Sequence, residues 1–438
     1  MADTAHKTEE EKKEYFDTPE VLDEKVTLLA EMVLTSAHFV AFTGAGISTA
    51  SGIPDYRSGF DTVLQTGPGA WESLANKRKF EEQQKKAASA AGAAGAKKAA
   101  SNQTVRTSIQ KAYPSKTHMA LVELFEKNHL KFIVSQNVDG LHRKSGIPAA
   151  SIAELHGNTN LEICEDCGRE YMRDQRARTA KRTHDHRTGR KCETAGCNGH
   201  LKDTIINFSE PLNGTILEAG SANCANADLC LAMGSSLRVS PANGMPRACA
   251  QNGGRLVICN LQQTPLDDLA ALVIHAKCDD VMEMLMQKLG YLIPKWQMKK
   301  RVEVSLVEEG AKIQLRGVDE SRQPFHLFRE MKVQKLAAAD KVFPSQVQTK
   351  QPYRMTIPEN RPQAFKVDLT FMGHYQEQNL VLDVNLEELA NAAGQSIMYE
   401  MVMDSQSGNW ELVLQHDAEG NMVGVASFTQ HKAPAITK

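Results

Sequence analysis

The sequence predicts an α/β protein that combines a Rossmann-like parallel-sheet domain, a small four-cysteine zinc-binding module and a separate mostly-β C-terminal domain. Three observations support this fold class. Short apolar runs precede polar or glycine-rich loops, a pattern typical of parallel strands with a ligand site at their carboxyl ends. Two pairs of cysteines interrupt this pattern with the spacing of metal ligands. After Pro294, apolar and polar residues alternate, as they do in half-buried antiparallel strands.

Length and composition exclude several classes of protein. The chain has 438 residues, enough for two or three domains, and its formal net charge of −2 excludes a polycation that wraps nucleic acid. No apolar run approaches the roughly 18 residues of a membrane span, and the charged N-terminus lacks the apolar core of a secretory signal. The 9 cysteines, an odd number, argue against a secreted disulfide scaffold. We therefore expect a soluble intracellular protein.

Changes in composition and in the pattern of apolar residues along the chain suggest the domain boundaries. We expect a flexible tail at 1–17, a Rossmann-like domain at 18–160 and 203–296, a zinc-binding module at 161–202 and a β-rich domain at 297–438. Residues 77–108 contain a low-complexity insertion, in which nine of the fourteen residues from Ala87 to Ala100 are alanine. Such a stretch cannot bury a core, so we expect a surface insertion, with a basic functional segment as the alternative.

The elements of the Rossmann-like domain follow from local signals. Thr18 followed by Pro19 predicts the N-cap and first turn of a helix. The apolar run Phe39–Phe42 predicts a buried strand that leads into a glycine-rich turn. Further strands that end in polar or glycine loops are predicted at 131–135, 229–233 and 256–259. Gly290 is expected to end the last helix of this domain.

The glycine-rich turn Gly44-Ala45-Gly46 resembles a dinucleotide fingerprint, in which glycines let the backbone approach a pyrophosphate. A tight turn without a ligand is the alternative. Arg57 would suit a phosphate and Tyr56 a ring of the same ligand. The acidic residue that binds the ribose in ordinary dehydrogenases has no counterpart near Gln65, which disfavours that class of enzyme.

Polar side chains gather on one predicted loop. Gln136, Asn137 and Asp139 follow a buried strand and suit ribose hydroxyls or an amide group, although an Asx-rich turn that caps a helix is the alternative. His156 is a candidate general base because the imidazole pKa lies near neutrality, and a purely structural histidine is the competing interpretation.

Four cysteines predict a structural zinc site. Cys164-x2-Cys167 and Cys192-x4-Cys197 fit a tetrahedral shell that four thiolates close completely. The segment between the two pairs carries nine Lys/Arg residues against three Asp/Glu. This segment forms either a solvated charged face or a contact for an acidic partner such as nucleic acid or a nucleosome.

Together these segments resemble the sirtuin family. The matching stretches are Gly44–Arg57, Gln136–His142, Leu155–Asn158, the four cysteines, Gly234–Ser236 and Asn260–Gln262. The resemblance covers roughly Val21 to Trp296. Finer details, among them Cys278–Met282, are similar to the class IV branch, whose members are chromatin-associated nuclear enzymes.

The resemblance implies an enzyme, an NAD-dependent protein-lysine deacylase with NAD and zinc as cofactors. In that family the acyl-lysine oxygen attacks C1′ of the nicotinamide ribose and nicotinamide leaves. His156 would be the base, while Asn137 and Asp139 would hold ribose and nicotinamide. The cofactor-binding residues that the resemblance implies are Ala45, Thr49, Tyr56, Arg57, Trp71, Gln136, Gly234, Ser236, Asn260, Gln262 and Cys278.

The resemblance also implies a partner, an acyl-lysine protein that is histone-like. Its extended peptide would lie between Phe208-Ser209-Glu210 and Ser240-Pro241, with Ser209 in place of the family's glycine. Contact with chromatin or nucleic acid through the basic zinc segment stays the alternative to a solvated charged face. We expect no membrane association and a nuclear location, with a cytoplasmic location as the alternative. A chromatin-binding zinc module with weak or lost catalysis and a mainly ADP-ribosyl-transferring enzyme are the alternatives.

Overall fold

The computed structural model describes residues 10–59, 61–73, 106–180, 182, 184–194, 196–207, 209–318, 322, 324–334, 346–348, 352–357, 363–372, 375, 377–404, 409–425 and 428–431. The first nine residues of the predicted tail, Phe208, and residues 77–105 of the predicted insertion lie outside these ranges. The chain divides into two compact units, Met1–Asn158 with Ile205–Trp296, and Thr159–Thr204 with Gln297–Lys438.

Within the described residues, helices and strands alternate along the first unit, whereas strands predominate in the second. The helices are α1 (Pro19–Thr35), α2 (Lys116–Glu126), α3 (Leu141–Ser145), α4 (Gly214–Asn226), α5 (Gly244–Gln251), α6 (Cys278–Leu289) and α7 (Leu386–Asn391). The strands are β1 (Phe39–Thr43), β2 (Leu130–Ser135), β3 (Ile152–Glu154), β4 (Leu161–Cys164), β5 (Glu170–Met172), β6 (Arg187–Lys191), β7 (His200–Asp203), β8 (Leu229–Met233), β9 (Arg255–Cys259), β10 (Leu272–Ile274), β11 (Met298–Val307), β12 (Lys312–Val318), β13 (Phe328–Gln334), β14 (Gln346–Gln348), β15 (Tyr353–Thr356), β16 (Ala364–Phe371), β17 (Asn379–Asn385), β18 (Ser396–Met403), β19 (Trp410–Asp417), β20 (Met422–Val425) and β21 (Phe428–His431). None of the described helices is long and apolar enough to cross a membrane.

A six-stranded parallel sheet forms the centre of the first unit, in the order β10-β9-β8-β1-β2-β3. Every residue of β1 is buried because both faces of the sheet are covered. Phe39 and Ala41 pack on one face with α1, α2 and α6, whereas Val40 and Phe42 pack on the other with α4 and α5. The predicted Rossmann-like sheet is confirmed, and its carboxyl edge collects the loops that the sequence singled out.

The ends of the first unit's helices follow the predicted signals. The Thr18 hydroxyl accepts a hydrogen bond from the Val21 N–H at 3.4 Å, and Pro19 opens α1. Gly290 follows α6 with a φ of 74°, which glycine adopts without strain. Residues 10–17, the described part of the predicted tail, contact other segments of the first unit. The Tyr15 N–H donates to the Leu261 carbonyl at 2.8 Å, so this segment is tied to the sheet's loops.

The second unit consists of antiparallel sheets. The zinc segment forms a small sheet in the order β5-β4-β7-β6, and the C-terminal segment forms two larger sheets, β15-β12-β11-β18-β19-β20 and β14-β13-β16-β17-β21. Trp410 of the first large sheet contacts Phe371 of the second, with ring centroids 4.7 Å apart. The Tyr353 hydroxyl also donates to the Phe328 carbonyl across the sheets at 3.3 Å. The mostly-β C-terminal region is therefore confirmed.

A buried ion pair joins the two chain segments of the second unit. The Lys300 Nζ of β11 lies 2.6 Å from the Asp174 Oδ2 of the zinc segment, and their side chains are 5% and 7% exposed. The ammonium also lies 5.7 Å and 5.5 Å from the ring centroids of Phe325 and Tyr375. Water cannot replace either partner of such a pair, because both lie inside the protein.

We expect Lys300→Met to lower the free energy of unfolding by about 3–5 kcal/mol, since the substitution leaves the Asp174 carboxylate buried without its cation. Denaturant unfolding of the full chain measures the change. Lys299→Met is the matched control, because Lys299 is the exposed neighbour on the same strand. Equal unfolding midpoints for the two variants would contradict this prediction.

Candidate active site

Three glycines bring two loops of the first unit into close contact at the sheet's carboxyl edge. Gly44 and Gly46 follow β1, and Gly234 follows β8. A Cβ atom on Gly44 would lie 2.6 Å from the Gly234 carbonyl oxygen, and one on Gly46 would lie 2.6 Å from the Gly234 Cα. The Gly46 N–H donates to the same carbonyl at 2.9 Å. Because no side chain fits between these loops, larger residues are excluded here.

The predicted polar loop after β2 is bonded to this glycine turn. The Asn137 Nδ2 donates to the Gly44 carbonyl at 3.0 Å, and the Ser48 hydroxyl donates to the Asp139 Oδ2 at 2.7 Å. The other Asp139 oxygen accepts from the Leu141 N–H at 2.9 Å. Asn137 and Asp139 are only 7% and 5% exposed. These bonds fix an amide and a carboxylate at one place before any ligand binds.

His156 lies beside the polar loop, immediately after β3. Its Nδ1 is 2.9 Å from the Gln136 carbonyl oxygen, which can only accept, so Nδ1 carries the proton and Nε2 remains a base. Burial lowers the pKa of His156 below its ordinary value of 6.5, more than the hydrogen bond to Gln136 raises it. The imidazole is therefore neutral near pH 7, the state that a general base requires.

Tyr56, Arg57 and Trp71 lie together on the loop that follows the glycine turn. The Arg57 guanidinium carbon is 4.5 Å from the centroid of the Trp71 ring system, and the Tyr56 and Trp71 ring centroids are 5.5 Å apart. Burial, and then the nearby charge of Arg238, lower the pKa of Arg57 to about 10. A guanidinium group in this position suits an anionic ligand such as a phosphate.

The remaining predicted cofactor residues lie on the same edge of the sheet. The Gln136 side chain donates to the Ser235 hydroxyl at 2.9 Å, which connects the loops after β2 and β8. The Asn260 amide donates to the Gln262 carbonyl at 2.8 Å in the loop after β9. Ala45 and Thr49 belong to the turn after β1, Ser236 to the loop after β8, and Cys278 begins α6.

Sequence reasoning missed Ser48 and Ser235, which connect the predicted residues to each other. Ser48 links Asn137 and Asp139, since the Asn137 Nδ2 also lies 3.4 Å from its oxygen. Both serines lie in stretches that match the sirtuin family, and this position in the sequence was the signal that could have identified them as site residues. Their role could not be assigned from the sequence because the contacts join residues 89 and 99 positions apart.

The four predicted zinc ligands of the second unit converge on one point. The sulfur atoms of Cys164, Cys167, Cys192 and Cys197 all lie within 4.8 Å of one another. Sulfur–sulfur distances of 3.7 Å (Cys164–Cys197) and 3.6 Å (Cys167–Cys192) match the roughly 3.8 Å between thiolates that each lie about 2.3 Å from a central zinc. Gly199 is required beside them, because a Cβ there would lie 2.5 Å from the Cys164 sulfur. The cluster fits a structural zinc ion.

Many basic residues of the zinc segment form internal ion pairs. Arg173 and Arg190 both contact the fully buried Glu162 carboxylate at 2.6 Å, and Arg178 lies 3.0 Å from Asp203. Burial acts to raise the pKa of Glu162, but hydrogen bonds and the charges of these arginines hold it below its usual range. These cations stabilise the segment itself, so the sequence's excess of positive charge overstates what the segment offers to a partner.

Comparison with known proteins agrees with the geometry. A model of the Sir2 family matches residues 44–241. The NAD-dependent protein deacetylase SRT1 of Oryza sativa subsp. indica is 40% identical over 295 residues, which are 67% of this chain and 54% of that protein. The NAD-dependent protein deacetylase Sirt6 of Drosophila melanogaster is 34% identical over 294 residues, which are 65% of this chain and 81% of that protein. A solved structure described as Sir2 bound to acetylated peptide covers 61% of this chain and all of its own, with 27% identity and a TM-score of 0.43.

These similarities are confined to part of the molecule. The chain spans about half the length of the rice relative, 54%. The Sir2 match begins at the glycine turn and ends after the Ser240-Pro241 segment, so it contains the polar loop, His156 and all four cysteines. It therefore includes the glycine turn, the polar loop with His156 and the zinc cluster, whereas Asn260, Gln262 and Cys278 lie beyond it. NAD is the cofactor of this family, and the cysteine cluster supplies its zinc site. The chain belongs to the Sir2 family, the sirtuins.

Proposed function

We propose that the chain is an NAD-dependent protein-lysine deacylase, which transfers the acyl group of a lysine side chain to the ADP-ribose part of NAD and releases nicotinamide. One observation carries this proposal. A neutral histidine, a fixed amide and a fixed carboxylate lie beside the glycine turn at the carboxyl edge of the sheet.

The residues of the polar loop suit the charge that develops in this reaction. Loss of nicotinamide leaves positive charge at C1′ of the ribose, and the buried Asp139 carboxylate and Asn137 amide oxygen are suited to stabilise it. His156 would accept a proton from a ribose hydroxyl at Nε2, because Nδ1 already donates to Gln136. No protein nucleophile is needed, since the acyl oxygen of the substrate attacks.

The test is to incubate the full chain with NAD and a panel of acyl-lysine peptides. We expect nicotinamide and free lysine to form together in equal amounts, and neither to form when NAD or the acyl group is omitted. Nicotinamide release without lysine deacylation would favour ADP-ribosyl transfer. Absence of both, with NAD still bound, would favour a binding module that has lost catalysis.

The peptide would lie as an extended strand between Ser209–Glu210 and Ser240–Pro241. Ser209 adopts a φ of 74°, the left-handed region in which the family has glycine. Glu210 accepts hydrogen bonds from the Asn207 N–H at 2.6 Å and from its side chain at 3.0 Å, which closes the turn. Main-chain pairing of this kind tolerates many peptide sequences.

The class IV resemblance supports the finer parts of the proposal, which are a histone-like substrate, chromatin or nucleic-acid contact and a nuclear location. Acetylated histone peptides belong in the peptide panel for this reason. Binding to a nucleosome, measured with the full chain at several salt concentrations, tests the contact through the zinc segment. Imaging of the tagged full chain tests the location.

A further inference from the structure

Residues 10–17 form a segment, here named the strap, that lies against the carboxyl edge of the parallel sheet. A short turn at Glu10–Lys12 opens the strap, and Thr18 at the start of α1 follows it. The strap contacts a second segment, residues 55–73, here named the cofactor loop because it carries Tyr56, Arg57 and Trp71. Residue 60 of this loop lies outside the described part of the chain.

One end of the strap is anchored to the loops that follow β9 and β10. The Tyr15 N–H donates to Leu261, and the Asp17 N–H donates to the His275 carbonyl, both at 2.8 Å. The Asp17 carboxylate accepts from the His275 N–H at 2.8 Å and from Lys25 at 2.7 Å. These bonds give the strap a fixed position on the sheet.

The other part of the strap holds the cofactor loop. Glu14 accepts a hydrogen bond from the Thr62 hydroxyl at 2.6 Å with one carboxylate oxygen and from the Val63 N–H at 3.1 Å with the other. Lys12 forms an ion pair with Glu72 at 3.0 Å, directly beside Trp71. Thr62 and Val63 belong to no helix or strand, so contacts with the strap help to set where they lie.

The strap also touches residues on the opposite side of the candidate site. The Lys12 carbonyl accepts from the side chain of Gln262 at 3.2 Å, and Glu11 pairs with Arg238 at 3.0 Å. Gln262 is a predicted cofactor residue, and Arg238 is the arginine close to Arg57. The strap therefore connects the loop that would cover the cofactor with the loops on which its adenosine half would rest.

We propose that Glu14 is a positioning residue for cofactor binding, because it fixes Thr62 and Val63 and thereby holds the cofactor loop over the NAD site. This inference rests on the proposed function. A loop that is already ordered loses less conformational freedom when a ligand binds, so the contact increases the affinity for the cofactor. Glu14 itself acts through the loop and is not a catalytic residue.

The experiment compares Glu14→Ala and Thr62→Val in the full chain. Calorimetry with ADP-ribose measures binding without turnover, and nicotinamide release gives kcat and the KM for NAD. We expect each variant to weaken ADP-ribose binding and raise the KM for NAD about 3- to 10-fold, with kcat unchanged, which is less than the full effect of losing a charge-assisted hydrogen bond because the contact acts on the cofactor only through the loop. The double variant should be little worse than Glu14→Ala, because Thr62→Val removes one of the two hydrogen bonds that Glu14→Ala already removes. Glu31→Gln, at an exposed position of α1, is the control.

Hydrogen exchange of the Val63 amide gives a readout that needs no ligand. We expect faster exchange in Glu14→Ala, since this amide loses its acceptor, and no change in Glu31→Gln. Unchanged exchange, unchanged ADP-ribose affinity or tighter binding in Glu14→Ala would each overturn the proposal. Failure of the unaltered chain to bind ADP-ribose would refute the proposed function, and the role of Glu14 with it.

Discussion

Replacement of His156 by tyrosine is expected to reduce NAD-dependent deacylation about 10²- to 10⁴-fold while the chain stays folded. The variant removes the base whose Nε2 is available because Nδ1 donates to Gln136. A phenol cannot serve instead, since its ordinary pKa near 10 keeps it protonated at neutral pH. The rates of nicotinamide and free-lysine formation with an acyl-lysine peptide measure the loss, and circular dichroism checks the fold.

A second histidine provides the control for this variant. His129 lies between α2 and β2, where its ring contacts the Tyr291 hydroxyl at 2.9 Å, outside the candidate site. His129→Gln should keep its activity.

The unaltered chain should also lose activity as the pH falls below the lowered pKa of His156, because the protonated imidazole can no longer accept a proton. Near-normal turnover in His156→Tyr would contradict the assignment.

Removal of the zinc ion is expected to unfold the small sheet of the zinc segment and to lower the stability of the whole second unit. Structural zinc contributes about 10–16 kcal/mol of binding free energy in small peptides, more than the stability of many domains. Four thiolates leave no position for water, so the metal should take no direct part in bond making. Metal analysis should give one zinc per chain, and thermal unfolding after chelation should show a lower transition that returned zinc restores.

Cys167→Ser should lose the metal, whereas Cys224→Ala should keep it. Cys224 is a buried thiol of the first unit that does not belong to the cluster, and it therefore controls for the loss of a cysteine as such. Tyr171 lies beside the cluster and contacts one of its four ligands. The Tyr171 hydroxyl accepts from the Glu193 N–H at 2.9 Å and lies 3.0 Å from the Cys192 sulfur, to which it can donate. Active protein with much less than one zinc per chain would contradict the prediction.

The sequence was most informative where one local pattern determines the structure. Buried parallel strands need apolar residues on both faces, so β1 and β8 could be recognised as continuous apolar runs. The cysteine spacing likewise predicted the cluster, because metal coordination restricts both ligand type and distance. The glycine turn and the polar loop were predicted to share an edge because parallel strands bring their carboxyl ends together, whereas His156 was assigned to the same site through the resemblance to sirtuins.

Contacts between distant segments could not be predicted in this way. Glu14 and Thr62 are 48 positions apart, and nothing in either neighbourhood identifies the partner. Lys300 left a weaker signal, since it shares its face of β11 with Met298 and Val302, both of which are buried. A lysine in phase with apolar residues indicates either a break in the strand or a buried counter-ion. Only the structure identifies Asp174 as that counter-ion.

The Lys300–Asp174 pair has a consequence for how the protein is made. A ribosome completes the cysteine segment well before it delivers Lys300, which lies 126 residues after Asp174, and the strands that complete the unit follow later still. During that interval the Asp174 carboxylate has no cation from the C-terminal segment, although the metal can already organise the cysteines. Contacts between such distant residues form slowly, because a long loop must first be closed. Zinc capture and completion of the second unit are therefore separate events during biosynthesis, and the zinc segment has only the metal and its own internal contacts until the β-rich segment emerges.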